Sequence, residues 1–125
     1  MFADIKAFSG FAVPDIEQAR RFYADTLGLR VSEENGLLIL HIAGDRDIVV
    51  YPKPDHTPAS FTILNFPVAD VEGTVDALTE RGVRFERYDG EGFEQDDKGI
   101  QRGTGPLIAW FRDPAGNILS VIQDG

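Results

Sequence analysis

The chain has 125 residues, 42% of them hydrophobic, with no cysteine and a formal net charge of -9. This length and composition predict one domain that buries its own core, and the lack of cysteine excludes disulfides, thiolate nucleophiles and thiolate metal sites. The acidic balance argues against nucleic acid as a partner, because phosphate binding depends on clustered lysine and arginine side chains.

A stretch near the N-terminus occurs twice in the chain. Residues 11–31 return in altered form as residues 66–85, with Phe, Val, Asp and Glu at matching positions at the start of each copy. Each copy reads as a strand end, an aspartate that caps a helix, an amphipathic helix, a glycine stop and a further strand. The repeat predicts two similar modules, at about 1–53 and 61–125, joined by a linker at 54–60.

The first module is predicted to contain one helix and four strands. Apolar residues at helical spacing predict a helix from Asp15 to about Leu27, and Gly28 is expected to end it. The pair Asn35-Gly36 predicts a tight hairpin, because both central residues of a type I′ turn need positive φ. Strands are predicted at residues 5–13, 29–34, 37–43 and 47–51.

The second module repeats this plan and carries an insertion. A helix is predicted at 70–81, with strands at 61–68, 83–88, 106–112 and 118–123. Residues 89–105 contain five glycines and many charges, with Phe93 and Ile100 as the large apolar residues. We expect this insertion to be a surface loop that moves as a cover over a ligand cavity, with its carboxylates, including that of Asp96, in water.

The first helix and the last turn carry a family resemblance. The stretches VPDIEQARRFYADTLGL and FRDPAGNILSV resemble the vicinal oxygen chelate superfamily, which includes glyoxalase I, bleomycin-resistance proteins and extradiol dioxygenases. The resemblance covers nearly the whole chain, as a single domain, 1–125. It implies an α+β fold in which two tandem βαβββ modules form a half-open mixed β-barrel around a cavity, with the helices outside. It also implies a homodimer, since half-barrels of this kind expose sheet edges that a neighbour covers.

Members of this family usually hold a divalent metal on the inner faces of four strands. The first-strand ligand position falls on Phe8, its counterpart in the second module on Ile63, and the terminal carboxylate position on Ser120. The remaining ligand belongs to the strand around 48–51, which contains neither a carboxylate nor an imidazole. Because zinc, nickel, manganese and iron need such donors, we expect no metal and no other cofactor.

The same positions then predict a largely apolar ligand cavity. Phe8, Ile63, Ser120 and Tyr51 are expected to form its floor, with Asn65 on the same strand face as Ile63. The alternative is that Phe8 and Ile63 fill a closed core, and the two readings are evenly balanced on apolar pattern alone. The amide of Asn65 favours a cavity, because a buried amide needs a partner. Trp110 and its neighbour Phe111 are expected to face opposite ways, and the sequence leaves open which of them faces the cavity. Trp110 is counted among the ligand-binding residues.

Two classes of function remain. The first is a protein that binds a small organic molecule without the usual metal. The alternative is a lyase, isomerase or dioxygenase-type enzyme that uses metal-free acid–base chemistry through His41, Tyr51 or Asn65. His41 is in phase with apolar residues of its strand and could face the cavity as a general base, or it could be a solvated strand-end residue. Nucleophilic catalysis lacks support at Ser120, where no base is adjacent.

Location and partners follow from what the sequence lacks. No run of eighteen apolar residues occurs, and the N-terminal stretch shows neither the basic nor the apolar region of a signal peptide. We therefore expect a cytoplasmic protein with a small-molecule ligand and no membrane partner.

Overall fold

The chain folds into two compact units, Met1–Thr57 and Pro58–Gly125. The computed structural model describes residues 1–88, 94–103 and 105–123. Each unit combines a mixed β-sheet with a helix, so the predicted α+β class with two tandem modules is confirmed. No helix in the described part of the chain is long and apolar enough to cross a membrane.

The first unit contains a four-stranded sheet in the order β1-β4-β3-β2. Strand β1 runs parallel to β4, and the other neighbours are antiparallel. The strands are β1 Ser9–Val13, β2 Arg30–Glu34, β3 Leu37–Ile42 and β4 Arg46–Pro52. The helix between β1 and β2 is α1, Ile16–Arg20, which continues as a π-helical turn, Arg21–Thr26.

The π-helical turn corrects the prediction of one regular α-helix to about Leu27. The N–H of Leu27 donates to the carbonyl of Phe22 at 3.0 Å, five residues back instead of four. The first copy of the sequence repeat is one residue longer than the second, and the wider π-helical turn accommodates one extra residue. The start of the helix is as predicted, since the carboxylate of Asp15 accepts the N–H of Gln18 at 3.1 Å.

One face of the first sheet is covered by α1, which contacts β3 and β4. Tyr23, Leu38, Leu40 and Val50 are fully buried in this unit, and full burial of a large aliphatic side chain contributes about 1.5–3 kcal/mol. Side chains alternate along strands, so the residues between them point the other way. We call this second side the far face of the first sheet; it carries Ser32, Ile39, His41, Asp47, Val49 and Tyr51.

The second unit contains a three-stranded sheet in the order β5-β7-β6, with β5 parallel to β7. Its elements are β5 Thr62–Pro67, α2 Val71–Glu80, β6 Leu107–Arg112 and β7 Ile118–Gln123. Asp70 caps α2 as Asp15 caps α1, by accepting the N–H of Gly73 at 3.1 Å. Val71 and Val75 of α2 are buried, as are Ala109, Phe111, Leu119 and Val121 of β6 and β7.

The predicted strand at 83–88 is wrong, because this segment makes only one isolated bridge, between Phe85 and Phe111. The N–H of Glu86 donates to the carbonyl of Trp110 on β6 at 2.7 Å, whereas a side chain binds two other backbone groups of the segment. Gln95 accepts the N–H of Tyr88 at 2.6 Å and donates its amide to the carbonyl of Glu86 at 2.9 Å. The amide of Gln95 thus satisfies backbone groups that a longer strand pairing would otherwise use.

The described residues 94–103 form no helix or regular strand, as the predicted surface loop requires, but they are anchored to the rest of the unit. Ile100 is fully buried, and the carboxylate of Asp96 accepts the N–H groups of Lys98 and Ile100, both at 2.9 Å. The ammonium of Lys98 reaches Glu72 and Asp76 on α2. The expectation that Asp96 is simply solvated fails because its turn needs an acceptor for these N–H groups. Phe93 lies outside the described residues.

Partial burial of the Asp96 carboxyl acts to raise its pKa. The hydrogen bond from the Arg102 side chain and those from the N–H groups of Ile100 and Lys98 oppose this effect. Their combined effect is larger, so the pKa of Asp96 lies below its ordinary value. The described part of the insertion is therefore organised around an ionised carboxylate.

Candidate functional site

A cleft of about 530 Å3 lies at one end of the second sheet, within the second unit. We call it the aromatic cleft. It is lined by residues 58–60 and by Phe61, Thr62, Tyr88, Trp110, Arg112 and Ile118. Its volume is in the range of small-molecule sites, which are mostly apolar with a few polar groups.

Strand register places the base of the cleft. Thr62 lies opposite Ile118, and Ile118 lies opposite Arg112, so these three residues form one row across β5, β7 and β6. Trp110 is two residues before Arg112 and points to the same side of β6. Phe61 precedes β5 and is 67% exposed, which leaves its ring accessible from solvent.

Tyr88 and Trp110 form the aromatic wall of the cleft. Their ring centroids are 5.5 Å apart and their planes meet at 72°, an edge-to-face contact. Partial burial raises the pKa of the Tyr88 phenol, the charge of Glu86 raises it further, and Arg112 acts in the opposite direction. Tyr88 therefore presents a neutral phenol at neutral pH.

Arg112 is held in place by two acceptors. Its Nε donates to the carboxylate of Glu86, and a terminal nitrogen donates to the carbonyl of Gly116 at 3.1 Å. Because Glu86 balances the charge of Arg112, this pair adds little net charge to the cleft. The guanidinium contributes a fixed planar surface on which an aromatic ring can stack.

Gly116 lies in the turn at residues 113–117, between β6 and β7. The buried carboxylate of Asp113 stabilises this turn. That carboxylate accepts the N–H groups of Ala115 and Asn117, both at 2.9 Å, and the side-chain amide of Asn117 at 3.0 Å. Gly116 has a φ of 89°, a left-handed value that favours glycine. The turn therefore fixes the carbonyl that holds Arg112 at the cleft.

Of the sequence-predicted site residues, Trp110 lines the aromatic cleft and Ser120 lies opposite it in the strand register. Ser120 is fully buried, and its hydroxyl donates to the side-chain oxygen of Asn65 on β5. Asn65 is exposed and its amide oxygen already has a partner in the protein, so the expectation of a buried amide that needs a ligand is wrong. Ile63 is half-buried where β5 shows a register shift against β7.

The other predicted site residues belong to the first unit and do not line the aromatic cleft. Phe8 is 71% exposed and Tyr51 is 43% exposed, so neither fills a closed core. The filled-core alternative is thus wrong for Phe8.

His41 is the remaining predicted site residue, and it lies on the far face of the first sheet. Its Nδ1 is 3.0 Å from a carboxylate oxygen of Asp47, and its Nε2 is 2.8 Å from the hydroxyl of Ser32. Sequence reasoning missed both partners of His41. The two-residue turn at Asn35-Gly36 could have predicted that Ser32 lies near His41, because such a turn sets which residues of β2 and β3 share a face.

The family's metal-ligand positions do not fit a metal in this chain. Phe8 and Ile63 carry no donor atom, and the Ser120 hydroxyl is hydrogen-bonded to Asn65. Across residues 1–88, 94–103 and 105–123, no three His, Asp or Glu side chains are grouped to hold a metal ion. A first-row metal would lack the imidazole and carboxylate ligands that it needs.

Comparison with known proteins places this geometry in a family. TnmS3, an antibiotic binding protein from Streptomyces sp. CB03234, is 27% identical, with 98% of both chains covered and a TM-score of 0.69. A glyoxalase family protein from Enterococcus faecalis is 22% identical, with 98% of this chain and 99% of that chain covered and a TM-score of 0.70. The fosfomycin resistance protein FosX from Mesorhizobium loti is 12% identical, with 98% and 93% covered and a TM-score of 0.65. At 22% and 12% identity, the likeness to the last two proteins shows the fold alone.

No curated protein matches the chain. A family model matches residues 6–121, which is most of the sequence. The chain therefore belongs to the Glyoxalase/Bleomycin resistance protein/Dioxygenase superfamily.

Proposed function

We propose that the protein binds a small aromatic organic molecule in the aromatic cleft, without a divalent metal. The observation that carries this proposal is the meeting of Phe61, Tyr88 and Trp110 around a space of about 530 Å3. Aromatic side chains bury large apolar areas and favour edge-to-face or offset contacts with other rings. A flat ligand gains from both effects.

The polar groups of the cleft narrow the ligand class. Tyr88 offers a phenol that stays neutral, and the charge of Arg112 is compensated by Glu86. Stacking and hydrogen bonding therefore outweigh net charge in selecting the ligand. A polycyclic aromatic compound with carbonyl or hydroxyl groups suits these surroundings better than an aliphatic anion.

Similarity to TnmS3 supports binding over turnover. That protein is an antibiotic binding protein, and the likeness extends over 98% of both chains at 27% identity. Metal-free binding agrees with the donor-poor side chains of Phe8, Ile63 and Ser120 at the family's ligand positions. Antibiotics are therefore one source of the ligand class proposed here.

We also propose that the protein is a homodimer in the cytoplasm. Four large apolar residues at the N-terminus are exposed in the single chain: Met1, Phe2, Ile5 and Phe8. Strand β1, which follows them, is an edge of the first sheet. A second copy would cover this edge and these side chains. Light scattering at micromolar concentration should then report twice the mass of one chain, and a monomer would contradict the dimer.

The single tryptophan of the chain, Trp110, offers a direct test of binding. Its fluorescence should change on titration with a polycyclic aromatic antibiotic and stay constant with an aliphatic compound of equal size. Chelator in the buffer should leave the affinity unchanged. A panel of aromatic compounds that never alters Trp110 emission or the melting temperature would contradict the proposed function, since a ligand of the folded state raises the midpoint.

A further inference from the structure

Ser32, His41 and Asp47 form a continuous hydrogen-bonded chain across three neighbouring strands of the first sheet. The hydroxyl of Ser32 lies 2.8 Å from His41 Nε2, and Asp47 lies 3.0 Å from His41 Nδ1. We infer that these residues are a nucleophilic centre that accepts acyl groups from activated aryl esters. Ser32 is the nucleophile, His41 the general base and Asp47 a positioning residue. This centre lies in the first unit and does not depend on ligand binding in the aromatic cleft.

The sheet itself holds the three side chains in place. Asp47 lies directly opposite His41 in the antiparallel pairing of β4 with β3. Ser32 lies opposite Ile39, two residues before His41, so its side chain points to the same face. Directly opposed and diagonal side chains on one face of a sheet lie within contact distance. The arrangement therefore rests on strand pairing and not on loop conformation.

The hydrogen-bonding chemistry assigns the protons. An ionised aspartate only accepts, so the Nδ1–H of His41 donates to Asp47. In a neutral imidazole with its proton on Nδ1, the lone pair of Nε2 accepts the O–H of Ser32. A hydroxyl hydrogen-bonded to a base that is oriented by a third group is the arrangement that activates serine nucleophiles.

Substrates can reach this centre. The side chains of His41 and Asp47 are 42% and 53% exposed, and Ser32 is half-buried. Ile39 and Val49 lie opposite each other on the same face and offer an apolar surface beside Ser32. A solvent-exposed centre stabilises developing charge weakly, so the substrates it serves are esters with good leaving groups.

The reaction balances with water as the second reactant. Ser32 Oγ bonds to the ester carbonyl carbon while the bond from that carbon to the aryl oxygen breaks. His41 takes the hydroxyl proton and transfers it to the leaving phenol oxygen. Water then attacks the acyl-serine with His41 again as base, which releases the carboxylic acid and restores Ser32.

A fluorophosphonate probe tests the nucleophile directly. The folded wild-type protein should gain one probe adduct, located by peptide mass spectrometry on Ser32. Ser32→Ala should abolish this adduct, and His41→Gln should slow labelling by at least about 100-fold, the usual contribution of a general base. His56→Gln, a matched histidine variant outside the centre, should label like the wild type. An unlabelled Ser32 in the folded wild type would overturn the inference.

The positioning role of Asp47 is tested by a measurement that loss of a merely structural residue would not change. In Asp47→Asn the imidazole nitrogen shifts in NMR spectra should show loss of the Nδ1–H tautomer, with labelling slowed by at least about tenfold. Asp47→Glu should restore part of both. Unchanged tautomer and rate in Asp47→Asn would contradict the positioning role.

Release of p-nitrophenol from p-nitrophenyl acetate distinguishes serine chemistry from direct attack by an imidazole. The wild type should release p-nitrophenol faster than free imidazole does, and Ser32→Ala should lose most of this difference in rate. If it keeps full activity and only His41→Gln loses it, the Ser32 nucleophile is refuted. Binding in the aromatic cleft, followed by Trp110 fluorescence, should be the same in all these variants, which keeps failure here separate from failure of the proposed function.

Discussion

The rings of Tyr88 and Trp110 meet edge to face, with centroids 5.5 Å apart and planes at 72°. Tyr88 lies in a segment that makes no regular strand, whereas Trp110 lies in β6. Their contact therefore joins an irregular segment to the sheet and creates the wall of the aromatic cleft.

Replacing Trp110 with leucine should weaken binding of an aromatic ligand by about tenfold, or about 1.4 kcal/mol. The variant keeps an apolar side chain but loses the ring that stacks on the ligand, and aromatic pairs contribute about 0.5–1.5 kcal/mol beyond their area. Calorimetry measures the affinity without the fluorophore. Phe2→Leu removes an exposed ring outside the cleft and should bind like the wild type.

Tyr88 should make stability depend on alkaline pH. Burial and the charge of Glu86 raise its pKa in the folded protein, so this contribution to stability is complete below the ordinary tyrosine pKa. It should be lost as the pH rises through the folded-state pKa, where the folded protein must ionise a partly buried phenol. Urea unfolding between neutral and alkaline pH measures this, and Tyr88→Phe should flatten the alkaline part of the curve. Equal curves for both proteins would contradict the assignment.

Asp96→Asn should destabilise the protein by about 1–3 kcal/mol, because hydrogen bonds from Arg102, Lys98 and Ile100 lose their charged acceptor. Asp97→Asn changes the exposed neighbour of Asp96 and is the matched control, which should unfold like the wild type. The pKa of Asp96 is lowered in the folded state, so its stabilising effect is present above the ordinary aspartate pKa. The difference between the two variants should therefore shrink as the pH falls through the folded-state pKa.

Asp113→Ala should cost roughly 3 kcal/mol and loosen the aromatic cleft. The change leaves the N–H groups of Ala115 and Asn117 without their buried acceptor and frees the turn that holds Arg112 through Gly116. Pro114→Ala alters an exposed residue of the same turn and should cost less than about 1 kcal/mol. Chemical denaturation compares the two, and equal losses would show that the carboxylate of Asp113 is not what holds the turn.

We predict that the protein holds no divalent metal, unlike metal-dependent members of its family. The purified protein should carry less than one equivalent of zinc, nickel, manganese or iron by elemental analysis, and chelator should not lower its melting temperature. The family's ligand positions hold Phe8, Ile63 and Ser120, which cannot supply the imidazole and carboxylate donors that these metals need. One tightly held equivalent of any of these metals would contradict this prediction.

The features that the sequence determined by itself are those that depend on neighbouring residues. Asp15 and Asp70 cap their helices as predicted, and Asn35-Gly36 forms the predicted turn with positive φ at both positions. Caps and tight turns involve groups within a few residues of each other, so local sequence specifies them. The repeated module and its α+β class follow from the same short-range patterns.

Only the tertiary structure decided features that depend on which distant groups meet. The segment around Glu86 contacts β6 at one isolated bridge and is otherwise bound by the Gln95 side chain. Asp96 gains Arg102 as a partner that sequence spacing does not reveal. The aromatic cleft arises from strand register, which brings Thr62 into one row with Arg112 and Ile118 although they are far apart in sequence. Periodicity in the sequence predicts which face of its strand a side chain occupies. Which side chains lie next to it depends on the partner strand and on the register between the two strands. Both depend on the packing of the whole unit.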